Sequence, residues 1–272
     1  MPVLRPCLGL VFLMLAVQSA AAGASFDTAL DAFDKGHFRE AADLAHGLGT
    51  TEGEALAARA ELAYGDFVAE GDARHAAFEQ AEKSARAAIA LDPKNAEGHL
   101  YLALALGFIG RMEGSVAAHF AGYAEEARRH IDRALELAPT NAWANALLGG
   151  WNLEIVHDGG ALGETIYGAS REKGIAAYNY ALALDPGNAA IAYQYALQLV
   201  AMGGAWQKAE AQEVLESAMK TEPSDAFQRL AQHRAGRMEL ALESHDDSAL
   251  QEIMHDQLGL AAEPVHAARS SR

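Results

Sequence analysis

Four short segments follow one pattern: Leu91-Asp92-Pro93-Lys94-Asn95, Leu137-Ala138-Pro139-Thr140-Asn141, Leu184-Asp185-Pro186-Gly187-Asn188 and Thr221-Glu222-Pro223-Ser224-Asp225. Proline lacks an N–H and clashes with the preceding helical turn, so it ends a helix; an Asn or Asp two residues later can accept from the free N–H groups of the next. Each segment therefore reads as stop, turn and start. Their prolines lie 46, 47 and 37 residues apart, which makes the chain a succession of similar units.

Counting back from each proline supports repetition. Five residues before stand Ala88, Ala134, Ala181 and Ala218; eight before stand Ala85, Ile131, Tyr178 and Leu215; twelve before stand Ala81, Ala127, Gly174 and Ala211. Small residues at helical spacing around one position that is mostly large mark a helix packed closely on a neighbour. Composition agrees, since 61 of 272 residues are alanine, the strongest helix former, and the Val, Ile and Thr runs that strands want are scarce.

These spacings resemble the second helix of the tetratricopeptide repeat, and Leu148-Gly149 falls where that family carries Leu-Gly in its first helix. The resemblance implies an all-α solenoid. Helical periods between stops give about six antiparallel pairs, spanning 26–35 with 38–48, 53–69 with 73–91, 95–109 with 114–137, 141–156 with 170–184, 188–202 with 205–221, and 225–242 with 247–258. A standard unit has about 34 residues, so extra length is expected around 110–127 and 157–170. The long second unit, with Glu113-Gly114 and Tyr123 ahead of Ala134 to Pro139, is similar to the regulator of microtubule dynamics family over about residues 75–200. Its cytoskeletal role is not carried over, because the start of the chain reads as an export signal.

That signal spans residues 1–24: Arg5, an apolar run from Leu8 to Val17, then small residues ending at Ala22 or Ala24, either a cleavage site. The run is about half the length a membrane span needs. Contact with a membrane is thus expected only in transit. Cys7, the one cysteine, lies ahead of the run, where it cannot serve as a lipidation site, and it leaves with the signal. A mature chain without cysteine or an Asn-x-Ser/Thr acceptor is expected in a bacterial periplasm, with the repeat domain over 25–260 and a tail over 261–272. Its 20 cationic against 37 acidic residues repel phosphate backbones, so nucleic acid is excluded as an expected partner.

Catalytic motifs are missing. There is no mature thiol, no Gly-x-Ser-x-Gly and no His-Glu-x-x-His, and Gly163 to Ser170 has phosphate-loop glycine spacing but Ala169 where a lysine belongs. His119 and His130 stand about 16 Å apart along one helix face, too far to share an ion. The run His245, Asp246, Asp247, His255 and Asp256 carries ligand chemistry but reads as a solvated acidic face. Arg128, Arg129 and Arg133 share a helix with Glu125, Glu126, Asp132 and Glu136, and spacings such as Glu125 to Arg129 and Arg129 to Asp132 read as ordinary surface ion pairs. Neither cofactor nor metal is expected, and the chain is read as a non-enzyme.

Function is therefore expected to rest on shape. In tetratricopeptide arrays the first helices line a concave groove that accepts a peptide or a partner's helix, and Glu97, Leu100, Leu104, Trp143, Ala146, Gly150 and Tyr193 are placed to face it. Tyr101, Trp143, Trp151 and Tyr193 are the expected aromatic anchors. The glycine-rich stretch 157–170 reads as a loop folding over one end of the groove, with Tyr167 its apolar contact. The expected function is an interaction or assembly scaffold. Two alternatives are a small-solute-binding component associated with a transport system, recognisable by a buried pocket, and a hydrolase, recognisable by close carboxylates or His157 beside an acid.

Overall fold

A computed structural model describes residues 25–258. The signal segment, Cys7 and the tail beyond 260 lie outside them. The described residues form thirteen helices and no strand: α1 (Phe26–Asp34), α2 (Phe38–His46), α3 (Thr51–Phe67), α4 (Gly71–Leu91), α5 (Ala96–Glu113), α6 (Ser115–Ala121), α7 (Tyr123–Leu137), α8 (Ala142–Tyr167), α9 (Arg171–Leu184), α10 (Ala189–Met202), α11 (Ala205–Met219), α12 (Ala226–Glu243) and α13 (Asp247–Leu258). With α6 as an insertion, they make six antiparallel pairs. None is long and apolar enough to cross a membrane.

The four proline segments do what their chemistry requires. Oδ1 of Asn95, Asn141, Asn188 and Asp225 accepts from the backbone N–H of Gly98, Ala144, Ile191 and Gln228, at 2.5, 3.0, 3.1 and 2.8 Å. The alanines five residues before each proline are all buried, as are Ala85, Ile131, Tyr178 and Leu215 three residues earlier. At Gly149 and Gly174 the α8 and α9 backbones meet: a Cβ on Gly149 would stand 2.6 Å from the Tyr178 ring and 3.0 Å from the Gly174 carbonyl oxygen.

Two segments depart from the sequence reading. Residues 114–137 are not one helix, because Gly114 and Gly122, at φ +87° and +73°, turn the backbone on either side of α6. The stretch 157–170 is not a loop: α8 runs on to Tyr167 through a kink at Gly160, at φ 52° and ψ −147°. Glycine density suggests a loop, yet two of these glycines have a local task within the helix. Gly160 takes a conformation that L side chains rarely adopt, and buried Gly163 lies where a Cβ would be 2.7 Å from the Ile155 carbonyl oxygen.

The array also closes on itself. Phe227, near the start of α12, packs against Phe67 of α3, Phe33 of α1 and Trp143 of α8, with ring centroids 5.3, 6.1 and 5.9 Å apart. Ala226 lies against Gly36 between α1 and α2. Arg234 of α12 ion-pairs with Asp66 of α3 at 2.9 Å, donates to the Asp66 carbonyl, and stacks over Phe67 with its guanidinium carbon 4.0 Å from the ring centre. First and last units thus meet, and the concave face turns inward.

Candidate binding cavity

Closure converts the groove into a cavity of about 290 Å³ lined by α3, α5, α8, α10 and α12, with smaller contributions from α7 and α9. All seven positions placed in the groove from sequence, Glu97, Leu100, Leu104, Trp143, Ala146, Gly150 and Tyr193, line it. Tyr101 and Trp151 do too. Trp151 serves mainly as core: its indole N–H donates to the Ala124 carbonyl at 2.9 Å, and Arg128 lies over its ring. Trp143 is half-buried, with one face on Phe227.

Tyr167 lies elsewhere. Because α8 remains helical, Tyr167 is carried to the far side of Trp151, where the two rings meet edge to face at 6.2 Å and its hydroxyl bonds to His119 Nδ1 on α6. It does not line the cavity.

The charged wall is only partly legible in the sequence. Glu154 accepts from Arg111 Nε at 2.6 Å and from Gln198 at 3.2 Å, while Asp66 is held by Arg234 and, at 3.5 Å, by Arg74. These partners are scattered through the chain, so no local pattern announces them. Arg59 forms no ion pair or hydrogen bond among the described residues; its guanidinium carbon sits 4.2 Å from the centre of the Phe33 ring.

Tyr101, Tyr178 and Tyr193 also line the cavity, Tyr193 bordering as well a smaller pocket with Arg234, Arg237 and Asp256, and among the described residues none of their hydroxyls has a hydrogen-bond partner. Burial pushes all three pKa values up; Glu97 adds to this at Tyr101, Glu154 at Tyr178 and Asp66 at Tyr193, against opposing arginines. At neutral pH each remains a donor.

Of the three acids lining the interior, Glu154 and Asp66 are tied to arginine and Glu97 is exposed, while His157, outside the cavity, stands beside Asp158, whose pKa is raised by burial and by Glu154 against the lowering effect of His157 and Arg111. Among the described residues the one convergent acidic group, Glu216, Glu239 and Glu243, lies outside the cavity lining and includes none of the His245 run, although the Glu243 carbonyl lies 3.0 Å from His245 Nδ1; burial and its two acidic neighbours raise the Glu239 pKa. Two of the three α7 arginines make surface pairs, Arg128 with Asp132 and Arg133 with Glu136, whereas the expected pairs of Arg129 with Glu125 and Asp132 do not form among the described residues.

Helix pairs stacked around a concave face define a tetratricopeptide-like helical repeat protein. In agreement, the crystal structure of a thermophilic TPR protein from Thermus thermophilus superposes with a TM-score of 0.55 at 20% identity, covering 77% of this chain and 96% of that one. The model of the family Regulator of microtubule dynamics protein 1-3 matches residues 38–243, and the chain belongs to that family. No curated protein matches it significantly.

Proposed function

We propose that the chain is exported to the periplasm and works there as a non-catalytic binding module that holds a compact ligand in its central cavity. One observation carries this reading: α12 packs against α3, leaving a partly open cavity of about 290 Å³ between them and the other helices. Small-molecule pockets begin at about 300 Å³, the size found here. The small-solute reading thus moves ahead of a groove for a partner helix. Native mass spectrometry of mature protein isolated from its own compartment tests it. A small bound mass is expected in wild type and lost in a Trp143→Ala, Tyr193→Ala variant of equal helicity. A ligand-free protein that no small solute stabilises against heat would overturn it.

A protein-interaction role has one feature of its own. Past Gly160, Leu162 and Ile166 stand one turn apart and both point to solvent. Crosslinking in the native compartment, wild type against Leu162→Ser, Ile166→Ser, tests this surface independently of the cavity.

A further inference from the structure

Buried phenolic hydroxyls nearly always find a hydrogen-bond partner. Tyr178 and Tyr193 are each only 3% exposed and both line the cavity; their hydroxyl oxygens keep some accessible surface and have no hydrogen-bond partner among the described residues, and Tyr193 also borders a smaller pocket with Arg234, Arg237 and Asp256. Phenolic donors that line one cavity and bond to none of its acceptors leave room for an acceptor from outside the chain.

The charges narrow its chemistry. Arg111 is ion-paired with Glu154, and Arg74 and Arg234 with Asp66. Of the cations lining the cavity, Arg59 alone lacks a carboxylate among the described residues. Glu97, the other unpaired charge, is exposed, while Arg59 is half-buried. The donor Tyr101 stands within the field of Arg59. Between these polar points the lining is apolar and aromatic, including Leu100, Leu104, Phe108 and Trp143.

Building on the compact-ligand reading, we propose that the cavity takes a small carboxylic acid with an apolar body and at least one further acceptor oxygen. Its carboxylate meets Arg59 and Tyr101, and its second oxygen accepts from Tyr178 or Tyr193. The negative net charge of the whole protein disfavours anions in general, so the single unpaired arginine inside gives such a ligand its selectivity.

Isothermal titration of the full mature chain with three probes tests the assignment: 4-oxo-4-phenylbutanoate, its primary amide, and 4-phenylbutanoate, which lacks the ketone. The oxo acid is expected to bind at least about tenfold more tightly than its amide, the scale of one charge-assisted hydrogen bond. Arg59→Gln should erase that difference and Arg59→Lys should retain it. Tyr178→Phe combined with Tyr193→Phe, which keeps both rings, should remove the advantage of the oxo acid over 4-phenylbutanoate. Circular dichroism confirms that each variant remains folded. Equal binding of acid and amide, or loss of the acid preference in Arg59→Lys as well, would overturn the carboxylate assignment while leaving a compact ligand in place. Failure of all three probes overturns this inference, and the mass of the native ligand then decides separately whether the cavity binds anything.

Discussion

Acid should weaken this fold through one pair of histidines. His99 of α5 and His130 of α7 face each other with their Nδ1 atoms 2.7 Å apart and their rings stacked. The other nitrogen of His99 lies 3.1 Å from the Pro93 carbonyl, which can only accept, so His99 donates there and presents an acceptor Nδ1 to the N–H of His130. Two neutral rings satisfy this arrangement. Burial first, then the neighbouring His99, lowers the His130 pKa to about 4, with Arg86 and Arg129 adding to the effect and Glu126 opposing it. An unfolded histidine titrates near 6.5, so between about pH 6.5 and 4 the unfolded chain binds a proton that the folded chain refuses. The pair's contribution is complete above that window and is lost as pH falls through it. At about 1.4 kcal/mol per pKa unit the loss is at most about 3 kcal/mol, and about 2 kcal/mol by pH 5. Urea unfolding of wild type and His130→Gln at pH 7.5, 6, 5 and 4.5 measures it. Wild type should lose stability more steeply than the variant, and the two curves should converge towards pH 4. Parallel curves would refute the assigned protonation states.

Other consequences are local. Asp66→Ala strips both arginines of their partner and should cost about 3 kcal/mol, read by chemical denaturation, because it leaves cations partly buried and unpaired. Gly149→Ala should cost about 1–3 kcal/mol as its Cβ presses on Tyr178 and the Gly174 carbonyl, whereas alanine at open Gly107 should cost little. Asn188→Ala removes a cap bonded at 3.1 Å and should lower stability by about 1 kcal/mol. Native proteolysis should be slow across 161–167, since that stretch is helical; rapid cleavage there would contradict the extension of α8 past the Gly160 kink.

Helix order is legible in the sequence because proline, Asn and Asp act locally: every turn chemistry read from the four segments is realised by bonds spanning three residues. The groove-facing positions are legible for a similar reason, since helical periodicity fixes a face. Glycine misleads. Taken together, the glycines of 157–170 suggest a loop, but Gly160 bends a helix and Gly163 admits a close approach, roles that composition does not separate. The expected place of Tyr167 depends on that loop, which is why the residue is found on the other side of Trp151. Ring closure is hidden for a different reason: Asp66 and Arg234 are 168 residues apart, and neither carries a local mark of the other.

Meeting ends alter how such a chain must fold. An open array of repeats behaves as a one-dimensional stack, in which units can form, fray or be deleted from either end at the cost of one interface. Here the last pair touches both its sequence neighbour and the first units, so losing it breaks two interfaces and uncovers the apolar interior. Assembly must therefore bring distant parts of the chain together before the final contacts form, which raises contact order and favours slower, more concerted folding than a linear stack of equal length.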